Sequence, residues 1–367
     1  MFQEPEKIQL CSPRNESPVR VFTEWDPLEE VIVGTIDENI RVPEWDPGLA
    51  AVTPQRTRDF FIKNQTRRFP RERLLAAKKE VDFLATLLRD HGVIVRRPGP
   101  MDQHRPVVTP YFSTSGGFHS AMPRDGLFAI GDLMIETPMA WRSRYFETFP
   151  FRDILKDYFL RGARWVSAPK PMLPDELWKS DHDCDSPKFE SVVNEFEPVF
   201  DAADFMKLGK DIIGQRSHVT NKFGIEWLKQ ALGSEYNISI YEFDDAGPMH
   251  IDTTILPLGP GKVLVNKVWV SKLPDLFKNW DVFYPPESTI PDSHPLYMTS
   301  KWIHTNVLML DESRVIVEAG EEPLIKAFES WGFKTIKCPF QNFQSFGGSF
   351  HCATLDVRRR GELRSYR

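Results

Sequence analysis

The stretch Val307–Ile336 reads VLMLDESRVIVEAGEEPLIKAFESWGFKTI, and it contains one complete structural unit. Short apolar runs separated by polar turns predict strands, whereas a longer apolar pattern predicts a helix. Gly332 separates the helical part from the last apolar run, as a glycine commonly does at the C-terminal end of a helix. The stretch therefore predicts two hairpin strands, a helix and a third strand, at Val307–Leu310, Val315–Val317, Leu324–Trp331 and Lys334–Ile336.

The same order of elements recurs along the chain. Three further hairpins are predicted at Gly126–Ile135, Asp201–Ile213 and Thr254–Val265. Each is followed by a predicted helix and strand: Phe151–Leu160 and Arg164–Val166, Ile225–Leu232 and Ile238–Tyr241, Leu276–Phe277 and Val282–Phe283. A fifth unit has the strand Glu30–Gly34, the helix Arg71–His91 and a strand from Val93, and a strand after Cys352 would complete it. Residues 37–69 are predicted to be irregular.

Repetition of one supersecondary unit favours radial packing around a central axis. The expected fold is therefore an α/β ring of about five units that closes by pairing its two chain ends. Residues 21–367 are predicted to form this single domain, and residues 1–20 are predicted to be a loose leader. Side chains from several units should meet near the axis.

The composition indicates a globular protein and argues against several classes. Of the 367 residues, 41% are hydrophobic and 27% are charged, as in ordinary soluble domains. The net charge of −6 gives no reason to expect nucleic-acid binding, and no apolar run approaches the roughly 20 residues that span a membrane. The four cysteines lack CxxC spacing, so neither a zinc site nor a disulfide framework is indicated. The polar N-terminus is unlike a signal peptide, so a cytoplasmic location is expected.

Polar residues precede the hairpins of the units at comparable positions. If the units are related by rotation, these residues converge on one pocket: Asp125, Asp201, His250, Asp252, Ser300 and Cys352. A cysteine becomes a nucleophile where a histidine favours its thiolate, and a carboxylate can orient that histidine. Further carboxylates suit a guanidinium group, which pairs with them through two hydrogen bonds. The pattern therefore predicts a site that combines a thiol, an imidazole and several carboxylates.

The cysteine also has a plain structural interpretation. Cys352 follows Gly347-Gly348, and a lone cysteine after such a turn is often a small buried hydrophobe. Its neighbour His351 is expected to point away from it, because adjacent residues of a strand face opposite sides. The base that assists Cys352 should therefore come from elsewhere in the chain.

The charged residues have structural interpretations as well. Asp125 and Asp201 could belong to turns or helix caps, and His250 could form a structural pair with Asp252. Surface charges or ion pairs are the expected roles of five basic residues: Lys207, Lys210 and Arg358–Arg360.

Several motifs, taken together, resemble the arginine-dependent amidinotransferases. This family includes glycine amidinotransferase and the inosamine-phosphate amidinotransferases of antibiotic pathways. The resemblance covers about residues 21–367 and rests on PMAWRSR at 138–144, SAPKP at 167–171, FDAADF at 200–205, GQRSHVTN at 214–221, PMHID at 248–252, MTSKW at 298–302, GGSFHC at 347–352 and DVRRR at 356–360.

The resemblance implies a pentein fold, a five-bladed pseudosymmetric α/β propeller of ββαβ modules, with no metal and no organic cofactor. It implies transfer of the amidino group of L-arginine through a cysteine-bound intermediate to an acceptor amine, with release of L-ornithine. The catalytic triad would be Asp201, His250 and Cys352. The guanidinium would be held by Asp125 and Asp252, and the other candidate substrate contacts are Met249, Thr299, Ser300 and Trp269. The oligomeric state stays open, with a homodimer as one option.

Two other functions use the same residues. With water as the acceptor, the triad gives an arginine deiminase or dimethylargininase type of hydrolase, which is distinguished by its citrulline-type product. A non-catalytic arginine-binding module could also keep the pocket, although an intact triad argues against it.

Trp269 indicates which acceptor to expect. Nineteen residues after the triad histidine, glycine amidinotransferases carry an arginine that binds the amino-acid carboxylate, and Trp269 stands there. Lys267 or Lys272 could hold the carboxylate instead, as could Thr299 or Ser300. Since tryptophan cannot pair with a carboxylate, the expected acceptor is a larger amine without one, as in the saxitoxin-pathway amidinotransferases of cyanobacteria. Glycine is the alternative.

Overall fold

The computed structural model describes residues 17–367. Residues 1–16, which make up most of the expected leader, lie outside the described residues. The strands are β1 Leu28–Val33, β2 Ile94–Arg96, β3 Val107–Val108, β4 Ser113–Thr114, β5 Leu127–Ile130, β6 Leu133–Glu136, β7 Arg164–Ser167, β8 Phe205–Leu208, β9 Asp211–Gln215, β10 Asn237–Tyr241, β11 Ile255–Gly259, β12 Lys262–Val265, β13 Asp281–Phe283, β14 Leu308–Asp311, β15 Arg314–Glu318, β16 Lys334–Cys338 and β17 Thr354–Arg359. The α-helices are α1 Pro47–Val52, α2 Gln55–Asn64, α3 Arg71–Asp90, α4 Pro123–Gly126, α5 Arg152–Leu160, α6 Lys222–Leu232, α7 Glu322–Ser330 and α8 Gln341–Gln344.

Five three-stranded sheets share one internal order. The first two strands of each sheet are antiparallel, and the third is parallel to the second. The sheets are β17-β1-β2, β5-β6-β7, β8-β9-β10, β11-β12-β13 and β14-β15-β16. Four of the parallel pairs are joined across α3, α5, α6 and α7, and β12 and β13 are joined across a single 3-10 turn, Asp275–Phe277. The ββαβ module that the sequence predicts is therefore confirmed.

The first module is completed by the last strand of the chain. β17 pairs antiparallel with β1, with Ile32 opposite Leu355 and Val33 opposite Thr354. This confirms the predicted pairing of the chain ends. Cys352 lies two residues before β17. The pairing of β17 with β1 therefore places this cysteine beside the N-terminal module.

The modules close into a ring through apolar contacts between neighbours. β17 contacts β5, β8 contacts β11, and β1 contacts β14. One buried cluster joins the second and third modules through Phe128 and Phe205, and another joins the last two through Val265 and Val317. Burial of such side chains contributes about 1.5–3 kcal/mol each, so the packing between modules holds the ring closed.

Two expectations about the N-terminal region need correction. The sequence pattern predicts residues 37–69 to be irregular, but they contain α1, which Asp46 caps through the Leu49 amide, and α2. Apolar spacing does not predict these two helices, because they are short and α2 contains few apolar residues. At the end of the expected leader, Val19 is fully buried and the Arg20 amide donates to the Val357 carbonyl.

Lys207 and Arg359, which were expected to be surface charges or to form ion pairs, are both buried and paired with carboxylates. Lys207 Nζ lies 2.9 Å from Glu24, and Arg359 Nε lies 2.8 Å from Asp356. Desolvated charges need such partners. Within residues 17–367, no helix is both long and apolar enough to cross a membrane.

Candidate active site

One short element in each module brings the predicted polar residues together. A helical turn precedes the first hairpin strand in four modules: α4 before β5, and the 3-10 turns Ala202–Asp204, Ile251–Thr253 and Lys301–Thr305 before β8, β11 and β14. An irregular turn at 350–353 takes this place before β17. The sequence-predicted residues Asp125, Asp201, His250, Asp252, Ser300 and Cys352 lie on or beside these turns, so the ring packing gathers them at its centre.

Cys352 is buried at the floor of a cleft and held by three hydrogen bonds. Its thiol donates to Asp252 Oδ2 at 3.2 Å, and Asn306 Nδ2 donates to Sγ at 3.2 Å. The amide of Cys352 donates to Asn306 Oδ1. A Cβ at Gly348 would come within 2.7 Å of the Cys352 Cβ, and Gly347 has φ of +95°. The two glycines are therefore required for the turn that presents the thiol.

His250 lies between two carboxylates. Its Nε2 is 3.1 Å from Asp201 Oδ2, and its Nδ1 is 3.7 Å from Asp125 Oδ1. Ligand atoms of Asp125, His250 and Cys352 all lie within 4.8 Å of one another. His250 and Asp252 do not form the structural pair that was the alternative expectation. Asp252 instead binds Cys352 and His351.

Arg144 fixes the two carboxylates behind His250. Its guanidinium lies 2.9 Å from Asp125 Oδ2 and 3.3 Å from Asp201 Oδ2, and it also pairs with Glu147. All four side chains are buried, so each charge depends on the others for compensation. Asp125 Oδ1 and Asp201 Oδ1 have no hydrogen-bond partner within the described residues.

His351 does not point away from Cys352, contrary to the expectation from strand geometry. Both residues precede β17 and lie in a turn, so the alternation of side chains along a strand does not apply to them. His351 Nδ1 lies 2.9 Å from Asp252 Oδ2, the same oxygen that accepts from the Cys352 thiol. Its Nε2 lies 3.2 Å from Glu24, which also pairs with Arg124 and Lys207.

The electrostatics favour protonated forms of both the thiol and the imidazole. Burial, followed by the charge of Asp252, raises the pKa of Cys352 to about 12. Burial opposes a charge on His250, but Asp125 and the hydrogen bond to Asp201 outweigh it and raise the pKa of His250 well above its usual value. Burial is likewise outweighed at Asp252, whose pKa is lowered mainly by the hydrogen bond from His351. The free site therefore holds a neutral thiol, an imidazolium and an ionised Asp252.

The three closely spaced groups could also hold a metal ion, since thiolate, imidazole and carboxylate are all metal ligands. A metal would have to displace the protons that the raised pKa values of Cys352 and His250 retain. The absence of a metal, implied by the sequence resemblance, stays a prediction.

A cleft of about 370 Å³ leads to the thiol. Most of the predicted site residues line it: Met249, His250, Asp252, Trp269, Thr299, Ser300 and Cys352. Asp125 and Asp201 do not line it, and they contact His250 from behind. Trp269 lies edge-on to Trp302, with 6.4 Å between ring centroids. Lys267 and Lys272, the alternative carboxylate ligands, are not among its lining residues.

Sequence reasoning missed five residues of the site: Glu24, Arg58, Arg144, Asn306 and His351 in this role. Asn306 directly precedes an apolar run and Arg58 falls in the region expected to be irregular, so neither carried a motif that pointed to the cleft. Arg144 lies in the quoted PMAWRSR motif, which is a signal that could have pointed to its role.

The chain is similar to several amidinotransferases over nearly its whole length. It is 52% identical over 354 residues to L-arginine:L-lysine amidinotransferase of Pseudomonas savastanoi pv. phaseolicola, covering 95% of this chain and 97% of the relative. It is 46% identical over 371 residues to the mitochondrial glycine amidinotransferase of Gallus gallus, with 98% and 87% covered. The solved structure of SxtG, an amidinotransferase from Microseira wollei in the saxitoxin biosynthetic pathway, matches with a TM-score of 0.91 and 46% identity over 95% of this chain and 99% of that chain. No protein-family model matches the sequence.

Proposed function

The chain belongs to the arginine amidinotransferase family and has its pentein fold, and on that premise we propose that Cys352 carries the amidino group from L-arginine to an amine larger than glycine. The observation that supports this most directly is the grouping of Cys352, His250 and Asp125 within 4.8 Å, beside the ionised Asp252. A thiol, a proton-transfer group and carboxylates are what amidino transfer through a covalent intermediate requires.

Binding of the guanidinium is the first step. Asp252 offers a buried carboxylate at the thiol. Asp125 does not line the cleft, but its carboxylate lies within 4.8 Å of the Cys352 sulfur and has an oxygen without a hydrogen-bond partner among the described residues. A buried acceptor of this kind gains the most from a charged donor. When Asp252 turns from the thiol to the guanidinium, Cys352 loses its partner and gains a neighbouring positive charge. Both changes favour the thiolate.

The covalent step moves one proton from sulfur to nitrogen. Sγ forms a bond to the guanidino carbon, and the bond from that carbon to the δ-nitrogen of ornithine breaks. His250 gives its proton to the departing amine and is reprotonated by the proton from the thiol, so the departing amine gains what the thiol loses. Asp201 holds the imidazole and compensates its charge. The amidino group stays on Cys352 as a cation.

The second half runs in the opposite direction with a different amine. The acceptor attacks the amidino carbon, the bond from that carbon to Sγ breaks, His250 gives its proton to the leaving sulfur, and the proton of the acceptor amine replaces it on His250. Product analysis distinguishes this transfer from hydrolysis: ornithine and a new guanidine indicate transfer, whereas citrulline and ammonia indicate a deiminase. Retention of activity after treatment with a chelator would support the proposal that no metal takes part.

The choice of an amine larger than glycine rests on Trp269. Its indole lines the cleft with Trp302 nearby, which narrows the space and leaves an apolar wall for a longer chain. Trp269 does not, however, exclude an acceptor with a carboxylate, because Arg58 lines the same cleft although it is distant in sequence. L-Lysine, the acceptor in the name of one relative, therefore stands beside carboxylate-free intermediates of a natural-product pathway as a candidate.

The test of the proposed function is incubation of the protein with L-arginine alone, then with an amine. Mass spectrometry of the peptide containing Cys352 should show an amidino adduct that disappears when the acceptor is added. Citrulline as the main product would contradict the proposal.

A further inference from the structure

The geometry points to Arg58 and Asp185 as the pair that binds the α-carboxylate and α-ammonium of L-arginine, and this inference rests on the proposed function. Arg58 lies on α2, and Asp185 lies in the loop that follows Cys184. Both line the cleft that leads to Cys352, and Arg58 is the single lysine or arginine among the described residues lining it.

The donor has two ends of opposite chemistry. The guanidinium end needs carboxylates, and Asp252 at the buried floor of the cleft provides one. The other end is a zwitterion, whose carboxylate needs a cation or several hydrogen-bond donors in a site that is partly shielded from water. Apart from His250, which carries the proton for the reaction, Arg58 is the cation that the described lining residues offer.

Arg58 is held in place by its own surroundings. Its Nη1 donates to Asp185 Oδ1 at 2.7 Å, its Nη2 donates to the Cys184 carbonyl at 3.1 Å, and its Nε donates to the Thr53 carbonyl at 3.3 Å. A guanidinium has five N–H groups, so two remain for a ligand. The side chain is 19% exposed, which leaves it accessible but partly desolvated.

Asp185 supplies the complementary charge. Its side chain is 61% exposed, and it faces solvent at the outer part of the cleft, unlike the buried Asp252. An adjacent cation and anion match the carboxylate and ammonium that an α-amino acid carries on one carbon. Arg58 also joins α2 to the loop at 184–185, through the ion pair with Asp185 and the hydrogen bond to the Cys184 carbonyl.

The experiment compares L-arginine with agmatine, its decarboxylated analogue, as the amidino donor. In the wild type, kcat/KM should be higher for arginine. Arg58→Gln should lower kcat/KM for arginine by roughly 10- to 100-fold, the effect of one charge-assisted hydrogen-bonded pair. The same variant should have little effect on kcat/KM for agmatine. Asp185→Asn should lower kcat/KM for arginine. It should lower kcat/KM for Nα-acetylarginine less, because that donor lacks the α-ammonium.

Two further variants keep the test decisive. Lys63→Gln removes an exposed cation from the same helix and should leave both donors unaffected. If Arg58→Gln fails to fold, Arg58→Lys replaces it in the test, because lysine retains the charge but lacks the planar guanidinium. Arg58→Lys should partly lose the preference for arginine over agmatine. An unchanged preference for arginine, with the Cys352 adduct still formed, would overturn this inference alone. A wild type that forms no adduct from either donor would overturn the proposed function and, with it, this inference.

Discussion

The Cys352 thiol donates a hydrogen bond to Asp252, with 3.2 Å between Sγ and Oδ2. Burial raises the pKa of Cys352 to about 12, and the next cause is this carboxylate, because its negative charge opposes a thiolate. The same carboxylate suits a guanidinium. In the proposed function, the free site therefore keeps the thiol protonated until the guanidinium of the substrate pairs with Asp252.

This state predicts an unusual pH dependence of alkylation. Iodoacetamide reacts with the thiolate, so its reaction with Cys352 in the free protein should be slow at pH 7 and rise about tenfold per pH unit up to pH about 10. The rate should not level off near pH 9, where an ordinary thiol is half ionised. Peptide mapping by mass spectrometry measures the rate, and the denatured protein is the control. A plateau below pH 9 in the folded protein would contradict the assignment of a protonated thiol.

Replacement of the nucleophile should remove the first half-reaction. Cys352→Ala should abolish ornithine release from arginine, and Cys352→Ser should be very weak because a hydroxyl has too high a pKa to supply the anion. The buried Cys338 provides the matched control, since Cys338→Ala should keep activity. An arginine-derived adduct on Cys184 or Cys338 instead of Cys352 would refute the assignment.

Replacement of His250 and replacement of Asp201 should affect the reaction differently. His250→Asn should impair both ornithine release and transfer to the acceptor, by roughly 10²- to 10⁴-fold each, since one group carries the proton in both directions. Asp201→Asn should retain arginine binding while slowing turnover, because the imidazolium loses its compensating charge. Single-turnover kinetics separate the two halves.

Asp204 is the comparison for Asp201. It lies three residues away, is buried, and accepts hydrogen bonds from Ser217 and Gln215. Burial raises the pKa of Asp204 to about 7. Normal turnover in Asp201→Asn, with a loss in Asp204→Asn, would transfer the orienting role to Asp204.

The buried charge network under the site should dominate stability. Glu24 pairs with Arg124, Lys207 and His351, and Glu24→Gln would leave the buried Lys207 without its paired carboxylate, whereas Arg124 keeps Asp356. Loss of one member of a buried ion pair costs about 3–5 kcal/mol in the free energy of unfolding. Urea denaturation measures it, and Glu29→Gln at the more exposed pair with Arg358 should cost about 1 kcal/mol or less. Equal effects of both variants would contradict the structural role of Glu24.

The acceptor can be identified with a panel of amines. Because Trp269 narrows the cleft, glycine should be a poor acceptor, and longer amines such as L-lysine or a carboxylate-free diamine should be better. Competition at equal concentrations, read by mass spectrometry of the guanidino products, ranks them. Robust formation of guanidinoacetate, without preference for a longer amine, would contradict this prediction.

Much of the architecture can be predicted from sequence because it depends on local patterns. Hairpins such as the one at Gly131-Asp132 and helices such as α7 are specified by apolar spacing and turn residues within each module. The pairing of β1 with β17 was predictable from the incomplete first module, and the grouping of Asp125, Asp201, His250 and Cys352 from placing equivalent positions around one axis.

The tertiary structure alone decided which side chains touch. Glu24 and His351 are 327 residues apart, and Arg58 and Asp185 are 127 apart, so no local spacing could pair them. The turn before β17 also reverses the expected orientation of His351 and brings it to Asp252. The physical reason is that periodicity reports which face of a segment is buried, whereas partners for buried charges are set by how the closed ring packs one module against the next.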